Sequence, residues 1–446
     1  MPRRLLALAL LLAANGASAA DDLPLPAPLR DADFMAVSAA EAKLGHLLFY
    51  DPILSGNRNI ACATCHHPTL GTSDGLALGM GEGGLGLGPA RVVDPANPPE
   101  EFIPRNAPAL FNLGAHEITA LFHDGRIEKD PSRPHGFRTP MGADMETGFS
   151  GVLSAQTMFP VLSPSEMAGH VHENDIAKAV RSGRITGPGG AWDLIARRVA
   201  ETKGYPALFA AAYPDIRQGR AIHFTDISNA IAGFMAAEWR ADNAPFDAYL
   251  RGDKTALSAE ALAGMQLFYG ELGCASCHSG ALLTDHSFHA MGVPQLGPGK
   301  HADFENHRRD LGRMRVTGQA SDAYAFRTPS LRNVTATAPY GHTGAYAELR
   351  SFLQAHSAPR AALQAFTGDG VKLAALTDHL EDALYPLTIK EDRAALLAAI
   401  EVEDRPLSES DLTALMAFLE SLTDSGAITG TLGIPVAVPS GLPLDK

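Results

Sequence analysis

Hydrophobic side chains recur every three to four residues in six stretches of the chain, which is the spacing of an amphipathic helix. The predicted helices are Asp175–Arg181, Asp193–Thr202, Ile227–Trp239, Ala259–Phe268, Arg393–Glu401 and Ser408–Leu422. Residues 71–108, in contrast, are so rich in glycine and proline that no regular element can form there. The pattern therefore predicts a mainly helical fold with long irregular loops, one of which wraps a bound group or an interface.

The first twenty residues have the three parts of an export signal. Arg3 and Arg4 are followed by the apolar stretch Leu5–Ala14 and by small residues at 17–20. The apolar stretch is too short to span a bilayer as a helix. We therefore expect a cleaved signal peptide at residues 1–20, a periplasmic mature protein and no membrane span.

Length and charge narrow the remaining possibilities. A chain of 446 residues has room for two domains. Its 50 acidic residues outnumber its 36 lysines and arginines, which argues against nucleic acid or an anionic membrane as a partner. The same acidity is compatible with a basic or dipolar redox protein.

The four cysteines form two Cys-x-x-Cys pairs, and a histidine follows each pair immediately. The two motifs are Cys62 to His66 and Cys274 to His278. Two disulfides or a zinc site are the alternatives in an exported protein, but neither requires a histidine directly after the second cysteine. The pattern favours two covalently bound haem c groups.

The spacing suits haem attachment for a geometric reason. Positions i, i+3 and i+4 lie on one face of a helix. Cys62 and Cys65 can therefore form thioethers to one porphyrin edge while His66 turns its imidazole onto the iron. Cys274, Cys277 and His278 repeat this arrangement.

The surroundings of the two motifs resemble each other in sequence order, which indicates an internal duplication. A helix ending in Phe-Tyr precedes each motif, and similar proline-containing and glycine-containing segments follow each one. We expect two cytochrome c-like haem domains, at residues 21–242 and 243–446. The boundary falls near Asp242–Ala259, and the second domain ends in an extended proline-rich tail.

With these motifs in hand, the chain resembles the bacterial di-haem cytochrome c peroxidase and MauG superfamily. The resemblance covers nearly all of the mature chain. Besides Cys-Ala-Thr-Cys-His it rests on residues 48–52 (Leu-Phe-Tyr-Asp-Pro), 105–108 (Arg-Asn-Ala-Pro), 122–126 (Phe-His-Asp-Gly-Arg), 329–334 (Pro-Ser-Leu-Arg-Asn-Val) and 337–344 (Thr-Ala-Pro-Tyr-Gly-His-Thr-Gly).

The resemblance implies a division of labour between the haems. Hydrogen peroxide would react at the N-terminal haem, and the C-terminal haem would relay electrons from a small cytochrome c or cupredoxin. It also implies a calcium ion between the domains, held by the Asn106 side chain and by backbone carbonyls near Arg327 and Pro329. Members often pair as homodimers, so a homodimer is an expectation here.

Glu166 is the acid–base residue that the resemblance implies above the N-terminal haem. A carboxylate there can take a proton from the near peroxide oxygen and return it to the leaving oxygen. From the residues alone, Ser163, Pro164 and Glu166 equally predict a capping box at a helix start. The two roles are compatible only if the carboxylate faces the haem.

Two departures concern the iron ligands. Peroxidases of the superfamily typically carry a histidine in the loop that corresponds to Leu78–Gly84, where this chain has Met80. Met80 is a candidate weak sixth ligand, with packing against the porphyrin as the alternative. The distal position of the C-terminal haem falls on His356, where peroxidases have methionine and MauG has tyrosine. The alternative for His356 is a plain surface histidine.

A third departure lies between the haems, where the superfamily's tryptophan is replaced by His123. Electron exchange would then use His123, the haem propionates or a direct path, and Trp192 and Trp239 are expected in the core. We expect a peroxidase that reduces hydrogen peroxide to water. The alternatives are MauG-like oxidation of a partner protein and a plain di-haem electron carrier.

Overall fold

The computed structural model describes residues 23–300, 305, 307–376 and 379–445, and the predicted signal peptide lies outside them. Helices α1 to α9 are, in chain order, Ala39–Tyr50, Cys62–Cys65, Val152–Thr157, Asp175–Arg181, Ala191–Glu201, Tyr205–Ala212, Pro214–Arg217, Phe224–Glu238 and Pro245–Leu250. Helices α10 to α17 are Ala259–Tyr269, Met314–Thr317, Leu349–Ser357, Pro359–Ala365, Leu380–Leu384, Lys390–Ala399, Glu409–Glu420 and Ser425–Thr429.

Strands are short and scattered among the described residues. Strands β1 to β7 are Gly84–Leu85, Val92–Val93, Ala120–Leu121, Ile127–Lys129, Phe137–Arg138, Phe288–His289 and Phe326–Arg327. They form the antiparallel pairs β1–β2 and β6–β7 and the antiparallel sheet β3–β4–β5. The mainly helical fold class is confirmed.

The six predicted helices are all present, with boundaries that differ by at most three residues. The irregular stretch 71–108 holds only β1, β2 and one single 3-10 turn, as its glycine and proline content predicts. The serine caps are also visible. Ser38, for example, accepts a hydrogen bond from the Glu41 N–H at 3.1 Å, and Ser258 does the same for Ala261 at 3.1 Å.

The helix before each Cys-x-x-Cys-His motif crosses a later helix at very short distance. Gly45 of α1 lies so close to α8 that a methyl group on it would overlap the carbonyl oxygen of Ala230. Gly264 of α10 meets Ala414 of α16 in the same way. Only a residue without a side chain allows two helix backbones to approach so closely.

Three clusters of buried apolar side chains make up most of the interior. The first extends from Leu29 to Ala241 and contains both tryptophans, as expected, and the second extends from Phe246 to Leu422. In the third cluster, Leu78 and its neighbours in the glycine-rich loop pack against apolar residues of the second half, between Leu296 and Ala383. The first cluster also includes Val438, so the C-terminal tail packs on the first half of the chain rather than only lying over the surface.

Buried ion pairs connect the two halves. Arg105 donates two hydrogen bonds to Asp310, at 2.7 and 2.8 Å, and a third to Asp124 at 2.8 Å. Asp124 also accepts from Arg126 at 3.1 Å. Because these side chains come from distant parts of the sequence, they fix the position of one half against the other. No helix in the described ranges is long and apolar enough to cross a membrane.

Candidate haem sites and peroxidatic pocket

The first Cys-x-x-Cys-His motif forms the short helix α2. Cys62 and Cys65 are unpaired thiols, and burial raises the pKa of both to about 12. In the part of the chain that the structure describes, neither thiol joins a cluster of potential metal-binding side chains. These features disfavour the zinc and disulfide alternatives for this motif.

Both motif histidines are oriented in the same way. His66 Nδ1 lies 3.0 Å from the carbonyl oxygen of Thr72, and His278 Nδ1 lies 3.1 Å from that of Leu283. A carbonyl can only accept, so each Nδ1 carries the proton and leaves the Nε2 lone pair available for a metal. Burial lowers the pKa of both imidazoles, which keeps them neutral, as metal binding requires.

The two residues whose carbonyl groups orient these histidines have an unusual backbone conformation. Thr72 and Leu283 have φ angles of 61° and 53°, a left-handed conformation that is rare for residues other than glycine. Sequence reasoning missed both residues. Gly71 before Thr72 was the available signal for the first turn, whereas nothing in the sequence marks Leu283.

His356 on α12 faces His278, as the distal-ligand prediction requires. The centroids of the two imidazole rings are 6.3 Å apart. Two imidazoles on opposite sides of one metal, each bonded at about 2 Å, have centroids roughly 6 Å apart. Burial and the neighbouring His278 lower the pKa of His356 to about 4, and its Nδ1 is buried without a hydrogen-bond partner. These residues fit a haem iron with two histidine ligands, and the ring contact with His278 argues against a plain surface histidine; iron ligation by His356 stays a prediction.

Glu166 lies in a single π-helical turn, Pro164–Ala168, rather than at the start of an α-helix. The Ser163 side chain accepts no hydrogen bond from a backbone N–H of this turn and lies 3.4 Å from the Ser165 hydroxyl instead, so the capping-box interpretation is wrong. The backbone carbonyl of Ser163 instead accepts from the N–H groups of Met167 and Ala168, at 3.0 and 2.9 Å. This wide turn places the Glu166 carboxylate away from the helix cap.

The Glu166 carboxylate is surrounded by cations rather than by hydrogen-bond donors. No described residue donates a hydrogen bond to it. Burial raises the pKa of Glu166, and the nearby side chains of Lys300 and Arg126 oppose that rise. Arg126 is itself held over the Phe122 ring, 3.4 Å from the ring centroid. A carboxyl group with a raised pKa and no fixed partner is suited to taking and returning a proton.

A network of amide side chains anchors the loop beside this turn. Glu82 is buried and accepts hydrogen bonds from Asn57 at 3.0 Å and Asn59 at 2.7 Å. Its N–H donates to the Ser165 carbonyl at 3.0 Å, so the loop supports the residue directly before Glu166. Sequence reasoning missed this role because Asn57 and Glu82 are 25 residues apart.

Met80 lies in the same loop but differs from the other candidate ligands. It is only 1% exposed and belongs to the third apolar cluster, together with Leu78 and Phe102. The motif histidines and His356, in contrast, are all partly exposed. This burial favours the packing alternative, and iron ligation by Met80 stays a prediction.

The residues predicted for calcium lie on neighbouring segments. The Asn106 side-chain N–H₂ donates to the Leu76 carbonyl at 2.7 Å, and its amide oxygen accepts no hydrogen bond from the described residues. The Asn106 N–H donates to the His342 carbonyl at 3.0 Å, and the His342 ring stacks on Phe326, whose neighbour is Arg327. The carbonyl of Pro329 faces the His278 ring. A calcium ion at this place stays a prediction.

His123 also lies at the junction of the halves. Its carbonyl accepts from the Arg327 N–H at 2.8 Å, and no described side chain hydrogen-bonds with its ring. Burial and the Arg105 cation lower the pKa of His123, so the ring is neutral. The structure therefore does not support His123 as a residue fixed by ring hydrogen bonds.

A mainly helical chain with two Cys-x-x-Cys-His turns and oriented histidines is typical of c-type cytochromes that carry more than one haem. A family model described as di-haem cytochrome c peroxidase matches residues 39–255. The cytochrome-c peroxidase IdrP2 of Pseudomonas sp. strain SCT is 30% identical over 360 residues, which cover 76% of this chain and 77% of that protein. The chain belongs to the di-haem cytochrome c peroxidase family, and this membership implies two haem groups.

With two other relatives, the chain aligns over a smaller share of the relative's length, about two thirds and one half. The methylamine utilization protein MauG of Methylorubrum extorquens is 32% identical over 312 residues, 70% of this chain and 66% of that protein. The cytochrome c peroxidase Ccp of Escherichia coli is 31% identical over 307 residues, 69% of this chain and 50% of that protein.

Solved structures agree on the fold. The crystal structure of a MauG-like protein associated with microbial copper homeostasis superimposes with a TM-score of 0.56 at 23% identity, covering 91% of this chain and 95% of that one. The di-haem peroxidase BthA of Burkholderia thailandensis gives a TM-score of 0.54 at 20% identity, covering 91% of this chain and 90% of that one.

Proposed function

We propose that this chain is a periplasmic di-haem c peroxidase that reduces hydrogen peroxide to water with electrons from a small redox protein. The observation that carries the proposal is Glu166, a carboxyl with a raised pKa placed on a wide turn among cations and free of hydrogen bonds. Family membership and the two oriented motif histidines support it.

The chain's own residues divide the work at the first haem. Cys62 and Cys65 would bind the porphyrin covalently, and His66 would ligate the iron through Nε2. The haem supplies the redox chemistry when it is bound. Glu166 takes a proton from the near peroxide oxygen and returns it to the leaving oxygen. The positive charge of Lys300 and Arg126 stabilises the carboxylate form that is present before the first transfer and again after the second.

The second haem would be held by Cys274 and Cys277, with His278 and His356 on its two sides. This arrangement leaves no open position on that iron, so its role is to relay electrons. The matching helix crossings at Gly45 and Gly264 support the duplication of one haem domain. A calcium ion near Asn106, a cytochrome c or cupredoxin donor and a homodimer stay predictions that accompany this proposal.

The Glu166→Gln variant tests the proton-transfer role. Glutamine keeps the shape of the side chain but cannot exchange a proton, so kcat for peroxide should fall by about 10²–10⁴-fold while both haem spectra stay unchanged. Glu201→Gln, at an exposed helix end, is the matched control and should keep wild-type turnover. A Glu166→Gln enzyme within tenfold of wild type would show that Glu166 is not the acid–base group.

A second candidate is the MauG-like alternative, in which the protein uses peroxide to oxidise a partner protein. The pairing of His278 with His356 favours it, because a second imidazole lowers the reduction potential relative to methionine ligation. Stopped-flow mixing of the peroxide-treated holoprotein with a reduced cytochrome c distinguishes the two. Rapid oxidation of the cytochrome supports peroxide reduction, whereas an oxidised protein that persists for minutes beside the reduced cytochrome supports partner oxidation.

A further inference from the structure

Arg327 is half-buried, and nothing in the described structure neutralises its positive charge. Its Nε is buried without a hydrogen-bond partner, and its Nη1 donates only to the neighbouring Thr328 carbonyl at 3.3 Å. No carboxylate of the described residues forms a salt bridge with it.

Other interior arginines of the chain are compensated. Arg105 pairs with Asp310 and Asp124, and Arg332 pairs with Asp247 at 2.7 Å. Arg91 has no carboxylate partner, but it donates to three backbone carbonyls. A guanidinium whose Nε is buried without a partner is destabilising, so an anion beside Arg327 in the folded, cofactor-loaded chain would be favourable.

The position of Arg327 indicates where that anion comes from. Arg327 lies on β7, paired with Phe288 of β6, and its N–H binds the His123 carbonyl of the first half. Two residues further on, the Pro329 carbonyl faces the ring of His278. Arg327 therefore lies at the junction of the halves, close to the motif that holds the second haem. A haem carries two propionate carboxylates, and a guanidinium pairs with a carboxylate through two parallel hydrogen bonds.

We infer that the Arg327 guanidinium binds a haem propionate at the junction of the two halves and thereby raises the reduction potential of that haem. The inference rests on the haem binding proposed above. A cation at the propionate disfavours the additional positive charge of the oxidised iron, so its removal stabilises the oxidised state. The second haem is the expected source of the propionate, because the Pro329 carbonyl, two residues after Arg327, faces the His278 ring.

Potentiometric titration of the holoprotein, followed by optical absorbance and electron paramagnetic resonance, tests this inference. Arg327→Gln removes the charge and should lower the midpoint potential of one haem, while Arg327→Lys keeps the charge and should stay near wild type. Arg313→Gln is the matched control, since Arg313 lies at the same junction but already pairs with Glu128 at 2.8 Å. It should change neither potential.

The low-spin and high-spin resonance signals identify which haem responds and therefore which haem supplies the propionate. Unchanged potentials of both haems in Arg327→Gln would overturn the inference. Haem content per chain is measured alongside: a loss in the Gln variant that the Lys variant restores supports the inference, and an equal loss in both variants overturns it. Neither readout uses peroxide turnover, so a wild-type chain without peroxidase activity would refute the proposed function and leave this test intact.

Discussion

Replacing Arg105 with methionine is expected to lower the free energy of unfolding by about 3–5 kcal/mol, the usual cost of breaking a buried ion pair by removing one partner. Methionine preserves much of the side-chain volume but leaves two carboxylates behind. Asp124 keeps Arg126 as a partner, whereas Asp310 keeps only the Gly312 N–H at 3.0 Å. Most of the loss therefore arises from Asp310, which is 3% exposed.

Thermal unfolding of the holoprotein, followed by circular dichroism at pH 7, measures this loss. For a chain of this length we expect roughly 1–2 °C per kcal/mol, so the midpoint should fall by about 5 °C. Arg350→Met is the control, because Arg350 and its partner Glu409 are exposed and such pairs contribute less than about 1 kcal/mol. An Arg105→Met midpoint no lower than that of Arg350→Met would refute the reasoning.

The same network predicts a pH dependence. The Arg105 guanidinium lowers the pKa of Asp310 to about 2, below its ordinary value of 3.8. A carboxyl whose pKa is lowered by folding contributes its full stabilisation above the unfolded pKa and loses it as the pH falls through the folded pKa. The difference in stability between wild type and Arg105→Met should therefore shrink between about pH 4 and pH 2, and a constant difference would contradict the assignment.

Two further predictions concern the second half. His356→Met replaces an imidazole by a thioether, which should raise the midpoint potential of the second haem in a potentiometric titration. An unchanged potential would show that residue 356 does not ligate the iron. Gly264→Ala should lower the free energy of unfolding in urea by about 1–3 kcal/mol, because the added methyl group meets the backbone of Ala414. Gly151→Ala, where no atom lies within 4 Å of the added methyl group, is its control and should be neutral.

Features encoded locally could be predicted from the sequence. Helical periodicity predicts α4 to within its observed ends, Asp175–Arg181, because burial of one helix face repeats every 3.6 residues. The Cys-x-x-Cys-His motifs likewise place the sulfur atoms and the histidine by the geometry of a single helical turn. His356 was identified only through the resemblance, and the structure then brought it to His278.

Features that depend on long-range packing could not be predicted. Asp310 meets Arg105 across 205 residues, and no local pattern in the sequence marks either as the partner of the other. The turn at Glu166 shows the same limit in a different form. Its serine and proline favour a helix cap. In the structure, however, these residues form a wider π-helical turn that packs against the backbone of Gly81 and Glu82.

The first half is discontinuous in sequence, because residues of the C-terminal tail form part of it. Gly433 accepts a hydrogen bond from His46 of α1, Ser440 bonds to Asp51, and Asp445 accepts from Thr64 inside the first Cys-x-x-Cys pair. This last contact joins residues 381 positions apart in the sequence. The first half therefore cannot complete its packing until residues 433–445 have been synthesised, because these residues follow the whole second half in the sequence. The order of synthesis thus leaves the turn that carries the first Cys-x-x-Cys-His motif without its Asp445 contact until the second half has been made.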